Sequence, residues 1–368
     1  MPLTLVEGDF APFFEAPFHA YGPDSPYVSP LKSDLRRFTD PAQNPLFADP
    51  DDIAIFAALR DGRPAGRITA HVHRASNALH GWNRAYFGYF DCADDEGAAD
   101  LLLGAAEDWA RARGFGEIMG NFNLTAMQQI GVVTGGFDGD VFTDLVWSPP
   151  HVARMLQARG YAAEFPMTTF ALDLTTAEPP AIGQKQRAIL DDPDFAFAPI
   201  TRRNIRRRME EARVILNAAF ARNPMFVPVT AEEFHFQAKD MAWIVDPRIS
   251  AMLTHRGTPI ATILCVPDMN PFLRRVRSRM GVTAPWHFVR HRMRNDRAVL
   301  IFSAVLPEWQ GRGVNPVVLR RVIEGMQGAG YRTLGNTWIA DVNPASLAQK
   351  AKAGARPLHR LHLFRKPL

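Results

Sequence analysis

Apolar residues fall at helical spacing in two well-separated stretches. In AADLLLGAAEDWARARGF, ending at Phe115, they are Leu102, Leu103, Ala106 and Trp109; in PVVLRRVIEGMQGAGY, ending at Tyr331, they are Val318, Leu319, Ile323 and Met326. Residues three, four and seven apart share one face of a helix, so each stretch predicts an amphipathic helix. Each follows an apolar run of strand length, YFGYFDC from Tyr86 and AVLIFSAVL from Ala298. Upstream stand two hairpin patterns, IAIFAALRDGRPAGRITAHVH from Ile53 and ISAMLTHRGTPIATILCV from Ile249. Each is an apolar run, a turn with glycine and proline, and a second apolar run. Downstream of each long helix comes another strand, and then a short helix closing on glycine, HVARMLQARGY with Gly160 and PASLAQKAKAGA with Gly354. A last strand follows, FPMTTFALDL and PLHRLHLFRKP.

The two series are one αβ unit written twice. Gly62 and Gly257 of the hairpin turns are 195 positions apart, and Gly160 and Gly354 are 194 apart. In between, Gly114 and Gly330 differ by 216, so the second copy carries about 21 extra residues before its central strand. The first copy compensates with a longer loop after its helix, NLTAMQQIGVVTGGFDGDVFTD. TTAEPPAIGQKQ, from Thr175, is polar and Pro-rich and reads as the junction. The expected division is a first domain over 1–175, a linker over 176–197 and a second domain over 198–368, as the length of 368 residues suggests.

Composition adds two things. The extra segment of the second copy is basic: between Pro271 and Arg297 stand eight arginines, two histidines and one acid, Asp296, mixed with Phe272, Leu273, Trp286 and Phe288. A second basic run, RRNIRRR, spans Arg202 to Arg208. Such patches attract phosphates of a cofactor, a nucleic acid or a membrane. No Cys or His cluster has zinc spacing, so no metal is expected, and Cys92 and Cys265 read as reduced core thiols of a cytoplasmic protein. No apolar run reaches the roughly 18 residues of a membrane span, and MPLTLVEGDFAPFF has no basic start followed by an apolar stretch, so no secretory signal is expected.

AVLPEWQGRGVNP, residues 304–316, places Gly311, Arg312 and Gly313 between a buried strand and a helix. A helix start offers unpaired N–H groups and the positive end of the dipole, and glycine lets backbone approach a phosphate. Asn315-Pro316 reads as helix cap and first helical residue. Neither a Walker loop nor the dinucleotide GxGxxG is present. A bare GxG also serves as a plain strand-to-helix turn.

With these residues in place, the second half resembles the GNAT family of acyl-CoA-dependent N-acyltransferases. That family carries V-x-P and then [QR]-x-x-G-x-[GA] at a helix start, matched here by Val305-Leu306-Pro307 and Gln310-Gly311-Arg312-Gly313-Val314-Asn315. A second family motif is Asn with tyrosine seven, lysine nine and glycine eleven positions on; Asn343, Lys352 and Gly354 match. The element order matches over about 198–368, and residues 1–175 repeat it without the glycine motif. At that place DCADDEGAAD would repel a pyrophosphate, so the resemblance implies a degenerate first copy that binds no CoA. The implied fold is α/β: tandem GNAT-like domains, each a mixed, mostly antiparallel sheet flanked by helices.

The resemblance further implies acyl-CoA as a co-substrate and no prosthetic group. The backbone of Gln310, Gly311, Arg312, Gly313, Val314 and Asn315 would hold the pyrophosphate. Ala304, Val305 and Leu306 would pair with the pantetheine arm, and Asn343 would hydrogen-bond it. The thioester would lie where the strand from Ala298 and the strand Thr333 to Ile339 splay apart. Three residues depart from the pattern. Asn315 stands for glycine or alanine, and Ala355 for an aromatic. Lys350 replaces the tyrosine that protonates the leaving thiolate: it can do so if burial lowers its pKa, or it is a solvated helix residue. For the base that deprotonates the amine, Asp341 at a strand end is the first candidate, or a carboxylate capping the next helix. Glu308 is the second, or a solvated loop acid. His359 and His362 alternate with Leu361 and Leu363 and suit strand packing.

The two-copy arrangement with a basic insertion looks like the bacterial GNAT-like proteins that include ceramide synthases, which acylate the amine of a sphingoid base. A lipid acceptor would explain residues 271–297 as a contact with anionic membrane, cytoplasmic and peripheral; a solvated helix pair is the plainer reading. A small-amine acetyltransferase and a non-catalytic acyl-CoA-binding protein are the alternatives. Nucleic acid is not expected, since no recognised binding module accompanies the arginines.

Overall fold

The computed structural model describes residues 2–221, 223, 225–239 and 244–368. The first half runs β1 (Leu3–Glu7), α1 (Phe10–Ala20), α2 (Lys32–Phe38), β2 (Ile53–Arg60), β3 (Arg63–His71), α3 (Arg74–His80), β4 (Arg84–Cys92) and α4 (Glu96–Ala112). It continues with β5 (Glu117–Gly120), β6 (Val132–Gly135), α5 (Pro150–Ala158) and β7 (Ala162–Asp173). The second half runs α6 (Gln184–Asp191), β8 (Phe195–Phe197), α7 (Ile205–Phe220), α8 (Ala231–Gln237), β9 (Ala251–His255), β10 (Thr258–Pro267), α9 (Asn270–Arg275) and α10 (Ala284–Arg294). It closes with β11 (Arg297–Val305), α11 (Val314–Gly328), β12 (Thr333–Ala340), α12 (Pro344–Lys352) and β13 (Arg356–Pro367).

Both expected hairpins form, and their turns explain the glycines. Asp61-Gly62 and Arg256-Gly257 all have φ between 50° and 77°, the left-handed pair that a two-residue turn needs to follow strand twist. The long loop of the first half hides one strand that the sequence did not reveal, β6, which pairs with β13.

Among the described residues the strands form one sheet, ordered β1-β2-β3-β4-β5-β13-β7-β12-β11-β10-β9-β8. The halves do not keep their closing strands to themselves. β7 pairs with β12 of the second half, β13 pairs with β5 of the first, and β7 and β13 pair with each other. In PLHRLHLF, Leu358, Leu361, Leu363 and Phe364 are all buried; successive residues of a strand point to opposite faces, so the adjacent Leu363 and Phe364 show β13 covered on both.

The second half has a helix layer on each face. Ile263, Cys265, Ala298 and Leu300 pack with Val317, Val318 and Ile323 of α11. Their neighbours Leu264, Val266, Val299 and Phe302 pack with Met209, Ala212 and Leu216 of α7. Cys92 and Cys265 are buried and unbridged. Among the described residues no helix is long and apolar enough to cross a membrane.

Candidate functional site

β11 and β12 run parallel for four residue pairs, from Arg297 opposite Thr333 to Leu300 opposite Asn336, and then part. The parting follows from their other partners: β12 shifts register against β7 between Asn336 and Ile339, and β11 bulges against β10 at Ile301, between its pairs Leu300–Cys265 and Phe302–Leu264. Thr337 donates its hydroxyl to the Ile301 carbonyl at 2.9 Å across the base of this fork. Leu306 N–H donates to Ile260 O at 2.9 Å. Backbone direction alternates along an antiparallel strand, so Ala304 also faces β10 and Val305 faces the fork. Of the three residues expected to offer backbone to a ligand, Val305 therefore has its groups turned the right way. Its carbonyl accepts from Gln310 Nε2 at 3.0 Å.

The chain then turns through Pro307–Trp309 into the glycine segment. Gly311 has φ 73° and Gly313 φ 90°. Gly313, not Asn315, is the residue at the helix cap, and α11 begins at Val314. Asn315 lies in the first turn with its side chain turned sideways: its Nδ2 donates to Gln349 Oε1 at 3.1 Å, and its Oδ1 accepts from Ser303 at 3.3 Å. Among the described residues no side chain caps this helix, so its first N–H groups are open to an anion. Arg312 is exposed, with its guanidinium 5.3 Å from the Trp309 ring centroid. The linker brings a lysine and a glutamine that the motif did not reveal against Gly313. A Cβ on Gly313 would stand 3.2 Å from Lys185 Cβ and 2.8 Å from Gln186 Nε2, both on α6. Uncapped N–H groups and the positive dipole end make this helix start suited to a phosphate, with Arg312 and Lys185 beside it in the chain and in space.

The same place in the first half is filled. β4 and β5 pair for only three residues before parting. There Tyr89 N–H donates to Asn123 Oδ1 at 2.7 Å and Phe90 N–H to Asn121 Oδ1 at 3.2 Å, so the chain's own amides occupy the fork. Asp95 caps α4 and is bonded to Arg60 at 2.6 Å, leaving no free helix start for an anion.

Lys350 is not a solvated helix residue. Half-buried, it lines a small pocket on the α11 face with Leu319, Ile323, Leu334 and Asn336. Burial pushes its ammonium down to about 8. Asn343 caps α12, accepting from Ser346 N–H at 3.1 Å. Asp341 therefore does not cap; it is held by Arg360 through two bonds of 2.8 and 2.6 Å. The hydrogen bonds from Arg360 hold its carboxyl below the usual range, which weakens it as a base. Glu308 is exposed on the turn before the glycine segment. His359 is fully buried against Thr169, while the half-buried His362 lies 2.7 Å from the Thr134 hydroxyl. Among the described residues no group of three or more His, Cys, Asp or Glu is arranged to hold a metal.

A small pocket lies between the halves. Thr125, Ala126 and Met127 line it from the first half, and Met225 to Val229 with Gln237 from the second. These residues carry no motif: they come from a loop and a helix connection some 100 positions apart, and only the fold joins them.

No family model matches the chain. It is 25% identical over 269 residues to the bacterial ceramide synthase of Caulobacter vibrioides, covering 73% of this chain and 70% of that protein. It is 24% identical over 377 aligned positions to protein YghO of Escherichia coli, covering 99% and 94%. Among solved structures, a tandem GNAT protein from the clavulanic acid biosynthesis pathway superposes with a TM-score of 0.58 at 15% identity, over 100% of this chain and 98% of that one. The chain thus has the fold of the tandem GNAT proteins, and in sequence it is similar to a bacterial ceramide synthase.

Proposed function

We propose that the protein is an N-acyltransferase that moves an acyl group from acyl-CoA to the amine of a lipid-like acceptor, a sphingoid long-chain base, to give a (dihydro)ceramide. The observation that carries the reading is the open fork of β11 and β12 beside an uncapped, glycine-bearing helix start, in the second half alone. The likeness to ceramide synthase supports the acceptor class. The division proposed is a CoA-binding catalytic unit over 198–368, a linker over 176–197 that lends Lys185, and a first unit over 1–175 whose fork is filled.

In this reading the pyrophosphate meets the N–H groups from Gly311 to Asn315, and the pantetheine arm lies along Val305. The amine nitrogen attacks the thioester carbonyl. The C–N bond forms, the C–S bond breaks, the amine's proton leaves to a base, and the thiolate takes a proton from Lys350. A strand N–H in the fork faces the carbonyl oxygen as charge develops there. Mass spectrometry of products from purified protein, long-chain acyl-CoA and a panel of amines including sphinganine tests the reading. N-acyl sphinganine supports it; acetyl transfer to small amines alone replaces it with the small-amine reading, and CoA binding without any product replaces it with the non-catalytic one.

Asp341 is the proposed base once released from Arg360. Asp341→Asn is expected to lower turnover by roughly 10²-fold, the usual size of a general-base effect, with CoA affinity little changed. Near-normal turnover across the pH range would leave Asp341 as a partner of Arg360 only.

The basic segment supports a membrane contact. α10 presents Trp286, Val289 and Met293 outward at spacings of three and four, 59%, 57% and 81% exposed, while Phe272 and Ala284 face inward. Arg290, Arg292 and Arg294 of α10 are exposed beside that stripe, and Arg274, Arg275 and Arg277 are exposed at α9. An apolar stripe set among cations suits an anionic lipid surface, at about 1 kcal/mol per basic residue. Changing Arg274, Arg275, Arg290 and Arg292 to Gln is expected to release the protein from anionic vesicles at low salt. Sedimentation showing no vesicle binding by the parent protein would remove the membrane from the reading.

A further inference from the structure

Among the described residues Lys350 has no carboxylate to pair with. β7 and α11 present only apolar side chains to its pocket, and the titratable group that acts on it is Cys265 of β10, whose thiol burial pushes up. Two amides share the pocket with it, Gln349 and Asn336. Gln349 is engaged: its Oε1 accepts from Asn315 Nδ2 at 3.1 Å, and Asn315 accepts from Ser303 at 3.3 Å. That chain ties the turn of α12 carrying Lys350 to α11 and β11. Asn336 is only half engaged. Its Nδ2 donates to Thr337 O at 2.7 Å, which fixes the amide, while its Oδ1 is buried without a partner. A buried acceptor left unpaired destabilises a fold, so it calls for an explanation. Asn336 is also the last residue of β12 paired with β11, opposite Leu300, and is 6% exposed. It stands at the base of the fork, on the α11 face, where the donor's thioester is read to lie.

We infer that Asn336 is a positioning residue for acyl transfer: its amide oxygen is the acceptor that holds the Lys350 ammonium at the base of the fork. The inference rests on the reading of Lys350 as the acid that meets the leaving thiolate. The two groups share the pocket without a hydrogen bond between them, so the contact closes by rotation of the flexible lysine chain or through one bridging water. The chemistry suits an amide better than either alternative. In an apolar pocket with no acceptor, an ammonium sheds its proton early, and beside a carboxylate it keeps the proton too firmly to give it away. A neutral oxygen steadies the charge by hydrogen bonding alone and leaves the proton free to move.

The test reads Lys350 directly and through turnover. The chain has six lysines, so lysine labelled with ¹³C gives a simple spectrum in which Lys350→Met identifies the signal. The titration midpoint of Lys350 is expected to fall by about one pH unit in Asn336→Leu, which removes the acceptor. It is expected to rise by about one unit or more in Asn336→Asp, which adds a charge. The alkaline limb of kcat should follow the midpoint in each direction. Both variants lose the bond to Thr337 O, so a purely structural role would not move the midpoint in opposite directions. Circular dichroism checks the fold, and either variant is decisive alone if the other does not fold. A midpoint that stays where the parent has it overturns the inference, whatever the turnover. A midpoint that moves while the limb of kcat stays, or in a protein that yields no product, keeps the contact but overturns its role in transfer together with the acid reading of Lys350.

Discussion

CoA titrated into the Gly313→Glu protein is expected to give no measurable binding, while the parent protein binds. Gly313 sits at φ 90°, where a side chain costs about 1–2 kcal/mol of backbone strain. The new Cβ would also meet Gln186 Nε2 at 2.8 Å, the far end of a side chain that can move. The fold should therefore survive, as circular dichroism and a thermal scan can show. The carboxylate, however, would stand at the uncapped start of α11, where the dipole and Arg312 otherwise favour a phosphate. Arg312→Gln should be milder, losing one charge-assisted contact of about 1.5–3 kcal/mol, or roughly tenfold or more in affinity. Undiminished CoA affinity in folded Gly313→Glu protein would place the phosphate elsewhere.

The second large effect is expected at Lys350. Lys350→Met keeps the length of the side chain and its fit to the cavity but removes the proton, so turnover should fall by about 10²-fold or more with CoA binding retained. The pH profile carries the sharper test. Burial brings the ammonium down to about 8, so the acid form dominates below that and is lost as pH rises through it. The parent protein should lose turnover above about pH 8, and the variant should lack that limb. Stability moves the other way. In the unfolded chain a lysine titrates near 10.4, so the cost of burying the charge is full below about 8 and is relieved as pH rises from 8 toward 10.4. A variant with parental turnover and an unchanged alkaline limb would return Lys350 to packing.

The duplication, both hairpins, the long helices and the glycine segment were legible because each is written locally, in spacing and turn chemistry. Gly62 and Gly257 mark hairpins by the φ they permit, and the GRG segment marks a strand-to-helix turn. Three things were not legible. Asn315-Pro316 looks like a cap locally, but Gln349 on α12 and Ser303 on β11 draw the Asn315 side chain inward, and Gly313 takes the cap position. The state of Lys350 depends on walls supplied by β7, α11 and β12, which no window around α12 contains. The pairing of β13 with β5 joins residues 244 to 250 positions apart, and β-strand pattern fixes which face is buried, not which neighbour is chosen.

That pairing bears on how the gene can be divided. A cut in the polar stretch after Thr175 separates two polypeptides, each carrying the strand that finishes the other's sheet. Alone, the first would present the bare edge of β5 and an orphaned β7, and the second the bare edge of β12 and an orphaned β13. Unpaired edges with apolar faces invite self-association. Made together, the pieces hold complementary ends of one ladder, so they are expected to reassemble when co-expressed and to associate with themselves when made singly.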